Sequence, residues 1–169
     1  MSRAFTKEEA SSGPVLIPPR APLPAGATNY VTPRGLRLLH AERDELEAER
    51  AVLDTGEGDE GERKRALAVI AGRLEDLNAR IASARVVTHD GAPDEVRFGA
   101  AVTLMTETGE ERRFTIVGVD EATTAPDRVA FLAPIARAVT GHRVGDTIPL
   151  QTPRGDETLT VTAVRYERD

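Results

Sequence analysis

The sequence predicts an α+β protein, with an N-terminal antiparallel helical coiled-coil hairpin and a C-terminal β-rich domain carrying one short helix. Three observations carry this expectation. Apolar residues step by three and four through residues 33–84, broken once by a glycine-rich acidic segment. Beyond Arg85 the pattern becomes short alternating runs separated by turn residues. One proline-initiated, glycine-terminated stretch, Pro134 to Gly141, interrupts those runs as a short helix should.

The first arm opens at Thr32-Pro33, where threonine suits the N-cap and proline the first helical position. Its seam reads Leu36, Leu39, Arg43, Leu46, Arg50, Leu53, and the two arginines weaken a dry interface. The second arm starts between Glu60 and Arg63 and carries Leu67, Ile70, Leu74, Leu77, Ile81 and Ala84. Between the arms lies Asp54-Thr-Gly-Glu-Gly-Asp-Glu-Gly-Glu62, whose three glycines disfavour a continuous helix. A short link between two periodic helices makes them antiparallel neighbours, so the hairpin presents carboxylates at its far end. On residue types alone, an acidic glycine-rich turn reads most simply as solvated. Arg63, Lys64 and Arg65 in the next turn read either as a tip salt-bridge network or as a collar for phosphate.

Residues 1–31 crowd five prolines, from Pro14 to Pro24, into a segment without period, and are expected to form a flexible tail. The alternative is that the tail lies along the folded part through Val15, Leu16 and Ile17. The hairpin is assigned to residues 32–86 and the β-rich domain to 87–169. In that domain His89 to Pro93 reads as a loop, Ala100 to Met105 as a strand, and Thr108-Gly109 as a hairpin turn. Strands follow at Arg113 to Val117, Val129 to Leu132, Thr147 to Leu150 and Thr158 to Val164.

Composition excludes several classes. The net charge of -6 disfavours free binding to duplex nucleic acid. Four Phe, two Tyr and no Trp leave little for a base-stacking surface. With no cysteine there is no disulfide, thiolate metal site or cysteine nucleophile. No apolar run reaches membrane length, and the first residues lack a secretory signal's apolar core, so a cytoplasmic protein without a membrane partner is expected. His40, His89 and His142 show no metal-ligand spacing, and no P-loop or dinucleotide pattern is present.

Several blocks, in order, resemble the Gre (GreA/GreB) factors that bind bacterial RNA polymerase. They are NYVTPRGLRLLHAERDEL from Asn29, FGAAVTL from Phe98, RRFTIVGVDEA from Arg112, and APIARAVTGHRVGDTIPLQTPRGDETLTVTAVRY ending at Tyr166. The resemblance implies a coiled-coil hairpin followed by an FKBP-like domain. It implies that the globular domain docks on the rim of the polymerase secondary channel while the hairpin enters the channel. In cleavage-active members, tip carboxylates help hold a Mg²⁺ shared with the polymerase active site and orient water against backtracked RNA. The positions that match are Asp59 and Glu62, with Glu57 and Glu60 as neighbouring acids. No cofactor is implied for the isolated chain, which would assist the polymerase without being an enzyme itself. Nascent RNA and DNA would be met only inside the elongation complex, with Arg63, Lys64 and Arg65 as the candidate RNA or phosphate contacts. The matching docking loop contributes Pro134 and Arg137, with Leu132 and Ala133 where the family carries small polar residues.

Two further departures from the family pattern bear on function. Arg63-Lys64-Arg65 replaces the family's usual continuation after the tip. Each arm is also shorter than in typical cleavage factors by about one heptad, or roughly 10 Å of reach at 1.5 Å per residue. The alternative within the family is a non-cleaving secondary-channel regulator, Rnk-like or anti-Gre. Outside it stand a prolyl isomerase, disfavoured by the scarcity of aromatics, and a self-dimerising coiled coil. The seam arginines oppose that dimer, so a monomer is expected.

Overall fold

A computed structural model describes residues 14–89 and 92–167. Positions 1–13 of the proline-rich segment, and Asp90 and Gly91 of the loop before the β-rich half, lie outside the described residues.

The chain forms strand β1 (Asn29–Val31), helices α1 (Pro33–Thr55) and α2 (Glu60–Ser83), and strand β2 (Ala84–Val86). Strands β3 (Ala100–Thr106), β4 (Glu111–Val117) and β5 (Arg128–Ala130) follow, then α3 (Pro134–Val139), β6 (Thr147–Thr152) and β7 (Gly155–Tyr166). A single 3-10 turn at Glu121–Thr123 lies between β4 and β5.

Helix α1 begins as its sequence dictates. Thr32 is extended, its Oγ1 accepts from the Gly35 amide at 2.8 Å, and Pro33 occupies the first turn. Leu39 and Leu46 pack against Ile70, Leu74 and Leu77, with Val31 completing the cluster at the base. Leu36, Leu53, Ile81 and Ala84 are partly buried around it. The seam is driest near the body and wettest near the tip: Leu77 is fully buried, Leu53 partly, and Arg50 is exposed.

The β-rich half is a five-stranded sheet in the order β5-β4-β3-β7-β6. All pairs are antiparallel except β4 with β5. Ala100, Val102 and Leu104 of β3 point into the core with Leu159 and Val161 of β7, and α3 covers them through Ala136 and Val139. Pro149 is tolerated in β6 because that strand lies at the sheet edge.

The expectation of a flexible tail needs correction for part of the described residues 14–31. Residues 29–31 are β1, paired in parallel with β2 across the base of the hairpin. Further upstream, Ile17 sits on α2 so closely that a Cβ on Gly72 would fall 2.1 Å from its Cδ1. The Ala21 carbonyl accepts from Arg80 at 2.7 Å. Proline-rich composition biases a segment toward extension. It does not decide whether that extended segment finds a surface to lie on.

Candidate functional site at the hairpin tip and its base

The tip connects α1 to α2 through Gly56 to Asp59. Gly58 takes φ 147°, a conformation open to glycine at little cost, and Arg63 donates to the Gly56 carbonyl at 2.8 Å, closing the loop. Asp59 is the N-cap of α2, its Oδ1 accepting from the Glu62 amide at 2.7 Å. An aspartate followed three residues later by glutamate is thus also a helix-start signal. That structural role accounts for the spacing without any chemistry. The cap uses one face of one oxygen, so the rest of the Asp59 carboxylate faces solvent.

Glu57, Asp59, Glu60 and Glu62 are all exposed, and none is folded back on the body. Glu60 pairs with Lys64 at 2.8 Å, and hydrogen bonding to that ammonium holds its carboxyl below the usual glutamate range. The basic run therefore divides. Arg63 and Lys64 are engaged in local tip contacts, while Arg65 is exposed on the helix. Among the described residues, no group of three or more His, Cys, Asp or Glu is placed to hold a metal ion. Asp59 and Glu62 are hard oxygen donors suited to Mg²⁺.

The residues that match the family's docking loop lie at and just before the start of α3. Pro134 is in its first turn and exposed, and Arg137 is exposed on its outer face. Leu132 is half-buried, and Ala133 is partly committed to the core. Beside Arg137 opens a cleft of about 360 Å³ lined by Tyr30, Phe98, Ile116, Phe131 and Thr140. Its three aromatic rings meet at 5.6 to 5.9 Å, two of the pairs edge-on. A chain with few aromatics has gathered three of them here. Tyr30 comes from β1, so this cluster also fastens the hairpin base to the body.

The base holds residues that sequence reasoning missed. Glu121 is buried beneath the start of α1, where Thr32 donates to it and Arg34 and Arg128 pair with it at 2.9 and 3.4 Å. Next to it, Asp120 pairs with Arg80 of α2 at 3.0 Å and with Arg20 at 3.0 Å. Arg20 also clasps Glu42 of α1 through two bonds of 2.9 Å. Hydrogen bonding to Glu42, opposed by burial, raises the Arg20 pKa, and the same bond holds the Glu42 carboxyl low. Asn29 donates to the Arg80 carbonyl and to Ser83, fastening β1 to the end of α2. These partners are separated by up to 100 positions in the chain, and no local pattern pairs an acid with an arginine so far away.

A helical hairpin with exposed carboxylates at its tip, joined to a β-rich domain, is the arrangement the chain presents. The comparisons with known proteins give the family. The family described as "Transcription elongation factor, GreA/GreB, C-term" matches residues 91–166. Transcription elongation factor GreB of Neisseria meningitidis serogroup B (strain ATCC BAA-335 / MC58) is 35% identical over 154 residues, covering 82% of this chain and 94% of that protein. Transcription elongation factor GreA of Francisella tularensis subsp. novicida (strain U112) is 36% identical over 153 residues, covering 81% and 96%. The chain belongs to the GreA/GreB family of transcription elongation factors.

Among solved structures, GreA factor homolog 1 (Gfh1) of Thermus thermophilus matches at 22% identity and a TM-score of 0.39, over 82% of this chain and 99% of that one. GreA/GreB from Nitrosomonas europaea matches at 22% and 0.42, over 83% and 99%. Those superpositions are loose, and family membership rests on the sequence relatives.

Proposed function

We propose that this chain acts on bacterial RNA polymerase in the cytoplasm. The globular domain docks at the rim of the secondary channel, and the finger enters it with Asp59 and Glu62 leading. The observation that carries this reading is the exposure of all four tip acids at the far end of the helical hairpin. In this reading Pro134, Arg137 and the adjoining Leu132 and Ala133 face the polymerase. The RNA-cleaving metals belong to the polymerase, and Mg²⁺ there would supply Lewis-acid activation of water. The chain's own part is to place two carboxylates, one held in direction by its cap on α2, where the polymerase's ligand set is incomplete.

The reach of the finger is the quantity to test. The match to the Neisseria relative spans 154 residues yet uses 82% of this chain, so about fifteen positions of that match have no counterpart here. That deficit is the size expected from two arms each one heptad short.

The test is RNA cleavage in a stalled, backtracked polymerase complex. The wild-type chain should bind polymerase and accelerate cleavage. Asp59→Asn and Glu62→Gln should each lower the rate by more than about tenfold, equivalent to ~1.4 kcal/mol of barrier. Asparagine caps a helix as well as aspartate, so Asp59→Asn removes the charge and leaves the fold. Failure to bind polymerase overturns the reading. Binding without acceleration replaces it with the non-cleaving channel regulator.

A further inference from the structure

We propose that residues 17–21 are a brace that holds the finger at one angle to the globular domain, with Arg20 as its pin. Three observations converge on it. Arg20 touches both bodies at once, clasping Glu42 on the finger and Asp120 on the domain through four hydrogen bonds of 2.9 to 3.2 Å. It is not a loose surface pair, since only 17% of its side chain is exposed and 13% of that of Asp120. Downstream, the Ala21 carbonyl takes a bond from Arg80, the residue that also pairs with Asp120. Upstream, Ile17 fills the space above Gly72, in the interior of α2, where glycine otherwise weakens a helix. The glycine there is explained by the side chain that lies on it.

The brace spans the joint where the two parts would otherwise pivot. Strands β1 and β2, three residues each, and the Glu121 cluster hold the root of the finger. Arg20 takes hold further out, on Glu42, about two and a half turns into α1, where a strut resists tilting with more leverage than a contact at the root. The arm of 23 residues extends about 34 Å, so a tilt of about 10° would move its tip by about 6 Å. A carboxylate that must meet a metal within about 2.1 Å cannot absorb that displacement by changing rotamer. The consequence for delivering Asp59 and Glu62 rests on the polymerase reading above. The brace itself does not.

The experiment is a distance measurement in the free protein, independent of any polymerase. The chain has no cysteine, so Asp54→Cys near the tip and Glu107→Cys on the domain accept paired spin labels without background. The full chain should give a narrow distance distribution. Arg20→Ala and Ile17→Ser should each widen it by several ångströms. Gly72→Ala is the decisive third variant, because it improves the helix while evicting Ile17. It should widen the distribution with no loss of helicity on heating. The proposal is overturned if Arg20→Ala and Ile17→Ser both stay as narrow as the full chain. It is also overturned if Arg20→Ala widens the distribution only in step with unfolding while Gly72→Ala leaves it narrow.

Discussion

At the scale of the residue, the tip shows how one pattern can serve two ends. Asp59 and Glu62 stand three apart because helix starts favour that spacing, and the same spacing puts two carboxylates side by side at the end of a finger. The exposure of these acids was legible in the sequence, from a charged glycine-rich turn between two helices; the capping role of Asp59 came only with the structure. Gly118 gives the opposite case. Nothing in its sequence neighbourhood marks it as special, yet a Cβ there would lie 2.6 Å from the Tyr30 carbonyl oxygen, a backbone atom that cannot rotate away. Gly118→Ala should therefore destabilise the protein by about 1–3 kcal/mol. The loss should register as a lower denaturant midpoint with loosening of β1, and an unchanged midpoint would mean the two backbones separate freely.

At the scale of the element, the helices were readable from their period, with α1 starting where Thr32-Pro33 places it and α2 at Glu60, within the expected range. Strand β3 was equally plain from its alternation. Strand β1 was not, since three residues carry no period and its partner β2 lies beyond both helices. The finger itself should be graded in stability. Leu77 is fully buried near the base, and Leu77→Ala should cost about 2–5 kcal/mol. Leu53 is only partly covered near the tip, and Leu53→Ala should cost about 1 kcal/mol. Hydrogen exchange along α1 and α2 checks this, with slow exchange expected at the base and fast at the tip. Equal protection at both ends would show that the seam arginines do not weaken the outer half.

At the scale of the molecule, the joint between finger and domain combines the aromatic cluster around Tyr30 with a set of ion pairs. Glu42 is faced by Arg20 from the brace and Arg73 from α2, and Arg20 is faced in turn by Asp120, which Arg80 also reaches. Because Glu42 is held low in the folded state, chiefly by its hydrogen bond from Arg20, its contribution to stability is complete above the ordinary glutamate range, about 4.3. It is lost as pH falls below that value and the folded carboxylate takes up its proton. Stability measured against pH should thus drop on the acid side, and Glu42→Gln should remove that part of the slope. An identical slope in the variant would show that Arg20 does not hold Glu42 in solution.

What the sequence determined alone was everything of short range. Helical period, capping residues, turn glycines and strand alternation act within a few positions, and together they specify a hairpin with an acidic tip followed by a β-rich domain. Tertiary structure alone decided how the two parts meet. Glu121 under α1, Asp120 between two arginines, three aromatics around one cleft and Ile17 on Gly72 are all pairings across long stretches of chain. Their free energy exists only once both partners are already folded, so no local pattern in the sequence encodes it.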